Sequence, residues 1–211
     1  MPDPPRPAQT GALPKAVVLG VSMGGLDALR RLLGLLPVDF PLPILVVQHL
    51  GAEAGNGLAP LLDALCPIRV QEADAQETPQ PGTVYLAPAN YHLLVEPDGR
   101  LGLSIDPPVN FARPAVDVLF ETAAEAFGPG LIGVLLTGAG SDGSRGLRTI
   151  QQRGGRTLVQ DPREAVADSM PRSALELIDP DAVLPLAGLA AQLLSLAQNS
   201  GIVLTWPKDP V

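Results

Sequence analysis

Three apolar runs with no polar alternation set the narrowest limit on how this chain folds: residues 16–20 (AVVLG), 44–48 (ILVVQ) and 131–136 (LIGVLL). A strand that is apolar on both faces needs cover on both, which a parallel sheet between two helical layers provides. The first run is followed by Leu29, Leu32, Leu33 and Leu36 at helical spacing, with Asp27, Arg30 and Arg31 on the other side and Pro37 ending the pattern. With the second run this makes a βαβ unit, right-handed by the general rule. A weaker helix is expected over 58–65 and a strand over 68–72.

The pattern then changes to alternation over residues 83–87, 92–96 and 101–105, broken by the turn signals Pro88-Ala89-Asn90 and Pro97-Asp98-Gly99. These three segments predict a small antiparallel insert. Helical spacing returns over 115–127, a buried strand over 131–136, a helix over 144–153 closed by Gly154 and Gly155, a strand over 157–160 and a last helix over 186–197. The fold class is therefore α/β: a doubly wound, mainly parallel, Rossmann-like sheet with a small antiparallel addition. The expected organisation is a Pro-rich tail over 1–14, one catalytic domain over 15–200 and a short C-terminal tail over 201–211.

Of the 211 residues, 46% are hydrophobic and 17% charged, enough apolar side chain to offset the entropy of ordering one core. The net charge of -8, with no basic cluster, disfavours a nucleic-acid partner. Cys66 is the only cysteine, which excludes an intramolecular disulfide and points to a reducing compartment. No apolar run approaches the ~20 residues that span a bilayer, and the first residues lack the pattern of a secretory signal. A cytoplasmic, monomeric protein without membrane insertion is expected.

In a doubly wound sheet, ligands gather at the carboxyl ends of the strands. The first run leads into Gly20-Val21-Ser22-Met23-Gly24-Gly25, a serine on a glycine-rich strand-to-helix turn. The second leads into Gln48-His49, and the run over 131–136 into Thr137-Gly138-Ala139-Gly140-Ser141-Asp142-Gly143. Serine, histidine and aspartate at three strand ends suit acyl transfer. Histidine, whose ordinary pKa of about 6.5 lies near working pH, takes the serine proton, and aspartate fixes the imidazole tautomer. The Met23 N–H, in the first turn of the helix, is the candidate donor to the tetrahedral oxyanion.

Each residue has a plainer reading. Ser22 alone also suits a helix cap or a phosphate-binding loop, although the G-x-G-x-x-G fingerprint of a dinucleotide binder is missing. His92, in the antiparallel insert, competes with His49 as base. Asp142 also suits a cap for the helix beginning near Ser144, and Asp117 and Asp161 are alternative acids. Cys66, with no cationic neighbour in sequence, reads as a small buried residue.

Taken together, these segments resemble the chemotaxis-type protein-glutamate methylesterases. The resemblance runs from about Ala16 to Ala187 and includes Tyr85-Leu86-Ala87-Pro88, Pro107-Pro108-Val109-Asn110, Arg113-Pro114-Ala115-Val116-Asp117 and Met170-Pro171-Arg172 besides the three strand-end segments. It implies a triad of Ser22, His49 and Asp142. It also implies hydrolysis of glutamyl methyl esters on chemoreceptor helices with release of methanol, deamidation of some receptor glutamines, and no metal or organic cofactor. A related signalling protein is an alternative partner, and a catalytically degenerate binding module an alternative function. Met23 stands where the family usually has a hydroxyl residue, and Ala139 where it usually has methionine. Residues 51–55 lack the family's proline and aromatic residues. The family domain commonly follows a phospho-accepting receiver domain, so control by phosphorylation in cis is not expected of a chain with only a Pro-rich tail before its first strand.

Overall fold

In a computed structural model, the chain is described over residues 12–49 and 57–198. Seven strands form one parallel sheet: β1 (Ala16–Val21), β2 (Ile44–Gln48), β3 (Arg69–Glu72), β4 (Thr83–Leu86), β7 (Leu131–Leu135), β8 (Arg156–Gln160) and β9 (Ala182–Leu184). Their order is β3-β4-β2-β1-β7-β8-β9, with β1 at the centre. A separate antiparallel pair joins β5 (His92–Val95) to β6 (Leu101–Ser104). The helices are α1 (Gly25–Leu33), α2 (Leu58–Leu65), α3 (Val116–Phe127), α4 (Ser144–Gln152), α5 (Ser169–Leu177) and α6 (Leu186–Gln198).

The unalternated runs behave as their composition requires. Val17, Leu19 and Val21 face one core with Leu29 and Leu32 of α1, Leu62 of α2 and Leu189 and Leu193 of α6. Ala16 and Val18 face a second core with Leu119 and Phe120 of α3, Leu147 and Ile150 of α4 and Met170 of α5. The β5–β6 pair closes this second core through Leu93, Val95 and Leu101. Leu19, Leu29 and Phe120 are fully buried. Truncating such a leucine to alanine typically costs about 2–5 kcal/mol, as transfer energy and cavity add.

One sequence expectation is overturned. Residues 83–87 do not belong to the antiparallel insert, because β4 lies in the parallel sheet between β3 and β2. All four β4 residues are buried, so the apparent alternation came from polar-headed side chains held inside. Tyr85 is one of these, and its hydroxyl accepts the Gln80 N–H at 3.0 Å. The insert is the β5–β6 pair alone. Helix α5 and strand β9 had no counterpart in the sequence reading. Residues 12–14 of the expected N-terminal tail are described, whereas 1–11 and the whole C-terminal tail lie outside the described residues. Among the described residues, no helix is long and apolar enough to cross a membrane.

Candidate functional site

The centre of the sheet brings the sequence-nominated residues to one edge. Val21 and Gln48 are partners across β1 and β2, and the ladder continues with His49 N–H donating to Val21 O at 3.0 Å. Ser22 and His49 are thus the next residues along adjacent strands, which lie about 4.8 Å apart in any sheet. On the other side, Ser22 N–H donates to Thr137 O at 2.9 Å, tying the serine to the end of β7. A Cβ at Gly138 would come within 2.8 Å of the Ser22 Cβ, so that approach requires glycine. Gly24, at φ 78, turns the chain into α1.

Asp142 lies in the loop after β7, only 4% exposed, with Oδ2 2.7 Å from His49 Nε2. Its other contacts come from the first turn of α3, from Asn110 ahead of that helix and from the Gly143 N–H, 3.0 Å from Oδ1. Val116 N–H donates to Oδ2 at 2.7 Å, Asp117 N–H to Oδ1 at 3.0 Å and Asn110 Nδ2 to Oδ1 at 3.0 Å. Burial alone would raise the Asp142 pKa. The hydrogen bonds from His49, the Asp117 and Val116 amides and Asn110 outweigh it and hold the carboxyl below the ordinary aspartate range. The positive end of α3 favours the same charge.

Asp142 is therefore not the cap of the helix that follows it, as the sequence left open. That helix begins after Gly143, and the carboxylate at its N-terminus is Asp117, which accepts the Gly143 and Gly146 N–H groups at 2.9 and 2.8 Å. The two carboxylates serve each other's helices: Asp142 from the α4 loop holds α3, and Asp117 from α3 holds α4. Asn110 spans both, with Nδ2 3.0 Å from each. Sequence reasoning passed over this role of Asn110, since no local pattern signals a bond to residues 7 and 32 positions away.

The competing residues are engaged elsewhere. His92 is 1% exposed, its Nδ1 accepts the Ala115 N–H at 3.2 Å and its Nε2 lies 3.2 Å from Pro107 O, the pattern of a satisfied core histidine. Asp117 contacts helix amides, Asn110 and Arg145 rather than His49. Asp161 forks with Arg163 at 2.7 to 3.1 Å, and that guanidinium lowers its pKa. Cys66 is partly buried, and burial pushes its thiol up, away from thiolate chemistry. Met23 is exposed, with its carbonyl accepting the Thr137 hydroxyl at 2.9 Å.

His49 and Asp142 lie in the wall of a cleft of about 680 Å³ that also includes Asn110, Phe111, Arg113 and Ala139. Ser22 lines a second cleft of about 580 Å³ with Gln48, Leu26, Leu58 and Leu65. Among the described residues, no hydrogen bond joins the Ser22 hydroxyl to the imidazole. With Nε2 on Asp142, Nδ1 is the ring nitrogen available to a serine proton. Such contacts often tighten only when substrate is bound. Residues 51–55, where the sequence departs from the family pattern, lie outside the described residues. No group of three or more His, Cys, Asp or Glu placed to hold a metal ion occurs among the described residues.

Compared with known proteins, residues 17–193 match the family model described as CheB methylesterase. The chain belongs to the CheB methylesterase family. The crystal structure of the Thermotoga maritima CheB methylesterase catalytic domain superposes with a TM-score of 0.83 at 36% identity, covering 87% of this chain and 98% of that one. A Leptospira interrogans protein provisionally named protein-glutamate methylesterase/protein-glutamine glutaminase is 47% identical over 186 residues, 88% of this chain and 96% of its own length. The protein-glutamate methylesterase FrzG of Myxococcus xanthus is 42% identical over 193 residues, 92% of this chain. The match spans 55% of FrzG, so this chain corresponds to about half of that relative and to nearly all of the Leptospira one. The doubly wound fold expected from the sequence is that of the CheB catalytic domain.

Proposed function

We propose that this CheB-family chain is a serine hydrolase that demethylates glutamyl methyl esters on the cytoplasmic helices of chemoreceptors and deamidates glutamines there, with Ser22 as nucleophile, His49 as base and Asp142 as the orienting acid. The observation that carries this reading is the 2.7 Å pair of His49 Nε2 and the buried Asp142 carboxylate, beside a strand-to-helix turn that presents Ser22 from the adjacent strand end. Asp142 accepts the hydrogen bond from Nε2–H and stabilises the imidazolium, which leaves Nδ1 to take the proton of the Ser22 hydroxyl as it attacks the ester carbonyl. The Met23 N–H stabilises the oxyanion. The imidazolium then protonates the departing methoxide to methanol, or the departing amide nitrogen of a glutamine to ammonia, and water attacks the acyl-enzyme by the reverse path to release glutamate. On this reading the catalytic unit is residues 15–200, monomeric, cytoplasmic and independent of metal or organic cofactor.

The test is methanol release from methylated chemoreceptor membranes, with wild type and Ser22→Ala side by side. Wild type should release methanol and Ser22→Ala should fall to background. A serine-directed phosphonate should modify only the peptide containing Ser22, because an activated hydroxyl reacts where ordinary surface serines do not. Equal background release from both proteins, or an adduct on another peptide, overturns the reading.

A further inference from the structure

The turn carrying Ser22 is held by a side chain from the neighbouring strand. Gln48, the last residue of β2 and 8% exposed, directs Nε2 at two backbone carbonyls, Ser22 O and His49 O, each at 2.9 Å. A carboxamide NH2 has two hydrogens, so each carbonyl receives one. Ser22 O also accepts the Gly25 N–H at 2.9 Å and is therefore held from two directions. The carbonyl of Ser22 and the N–H of Met23 belong to one planar trans peptide and point opposite ways. Fixing the Ser22 oxygen thus fixes the direction of the Met23 N–H. The next peptide is held in turn by the Thr137 hydroxyl on Met23 O.

Gln48 occupies this position at a cost. Its orientation is set by the two carbonyls, which would repel Oε1 if the amide were reversed. Oε1 is left buried without a hydrogen-bond donor. It lies over Gly25, where a Cβ would fall 1.8 Å from it, so the second glycine of the turn makes room for the Gln48 head group. An apolar side chain of similar length would avoid the stranded acceptor. It would lack only the donor end.

We infer that Gln48 is a positioning residue: its carboxamide clamps the Ser22–Met23 peptide to the backbone that carries His49 and aims the Met23 N–H at the oxyanion. The inference rests on the serine-hydrolase reading and adds a residue that does not itself touch substrate. Gln48→Met keeps the length and burial while removing the donor. Turnover of radiolabelled methyl esters on receptor membranes, counted per serine titrated with phosphonate, should fall about 10- to 100-fold, somewhat less than the loss of an oxyanion donor itself. KM should stay within about two-fold of wild type, as for an interaction made in the transition state. The acid limb of the pH profile should not move, since the His49–Asp142 pair is untouched. Affinity for an alkyl boronate, which forms a tetrahedral adduct with serine, should fall by the same factor as kcat/KM.

Gly25→Ala provides a second route, because its methyl displaces the Gln48 head group without altering that residue. It should reproduce the loss, and Gln48→Met combined with Gly25→Ala should be little worse than either alone. If Gln48→Met fails to fold, Gly25→Ala decides. Turnover per titrated serine near wild type in the folded variants overturns the inference, leaving Gln48 a packing residue. A shifted acid limb also overturns it, since Gln48 would then act through His49. Wild type and Ser22→Ala are run alongside, so failure of the serine-hydrolase reading itself appears as an inactive wild type or an active Ser22→Ala.

Discussion

Five donors converge on the Asp142 carboxylate, from His49, Asn110, Val116, Asp117 and Gly143, so the proposed orienting acid also ties the α4 loop to α3. Asp142→Asn replaces one acceptor oxygen with a second donor. Turnover should fall by up to about four orders of magnitude, the loss known for the equivalent change in a serine protease. Stability should also fall, by about 1–3 kcal/mol, because at least one buried amide loses its acceptor. Asp117→Asn sets a donor against Asn110 and Arg145, so it should cost a similar amount of stability but far less turnover per folded molecule. Asp161→Asn should leave turnover nearly unchanged. Measuring turnover and urea midpoints on the three variants separates catalysis from scaffold, and near-normal turnover in Asp142→Asn would sink the assignment. The stability contribution of Asp142 also has a defined pH dependence. Its folded pKa is lowered, so its contribution is complete above the ordinary aspartate value of about 4 and is lost as pH falls through the lowered folded value. The stability gap between wild type and Asp142→Asn should therefore be full at neutral pH and shrink on acidification below about pH 4. An equal gap at both ends contradicts the linkage. At this scale the sequence exposes residues at strand ends and in the loops just beyond them, which is why Ser22, His49 and Asp142 stand out as candidates. It did not expose the roles of Asn110, Gln48 or Asp117, whose partners are distant in the chain.

Between β6 and α3 the chain makes a two-residue reversal at Asn110 and Phe111, with φ of 52 and 63, closed by paired hydrogen bonds between Val109 and Ala112. Asparagine tolerates this left-handed geometry, whereas a bulky aromatic there costs roughly 1–2 kcal/mol. Phe111 recovers nothing by burial, since its side chain is fully exposed in the wall of the cleft that holds His49 and Asp142. Phe111→Gly should therefore raise stability by up to about 1 kcal/mol. If the ring contacts receptor helices, the same change should raise KM and leave kcat unaltered. A melting temperature that drops would show that the ring packs somewhere, and an unchanged KM would remove it from substrate recognition. No sequence signal marked this element, because phenylalanine is not a turn residue. Helix α5 was hidden for another reason: only Met170, Pro171 and Ala174 of its nine residues are buried, too few to show a period. Strand β9 has three residues, none fully buried, at the edge of the sheet.

The whole molecule is organised by β1, from which the chain builds β2, β4 and β3 to one side and β7, β8 and β9 to the other. The proposed catalytic residues stand at or just beyond the strand ends where this order reverses, the expected ligand crevice of an open α/β sheet. Periodicity made this architecture readable from the long central elements, and it failed for β4 because a strand with polar-headed but buried side chains imitates a half-exposed one. The same organisation bears on where the catalytic unit ends. Among the described residues, both cores are drawn from Ala16 to Ala197. On the N-terminal side, Lys15 N–H donates to Gly130 O at 2.8 Å, just ahead of β7. On the other, Leu186, Leu189, Leu193 and Ala197 of α6 face Leu29 and Leu32 of α1. A fragment of residues 12–200 therefore keeps every described side chain of the two cores and all the proposed catalytic residues. It should melt within about 2 °C of the full chain, no more than the shift that 1 kcal/mol produces in a domain of this size. Its kcat/KM on methylated receptor membranes should match within about two-fold. A fragment stopping at residue 185 strips α6 from the α1 face and should lose cooperative melting. Weaker binding or earlier melting of the 12–200 fragment would mean that residues outside 15–200 take part, and the boundaries of the catalytic unit would have to be redrawn.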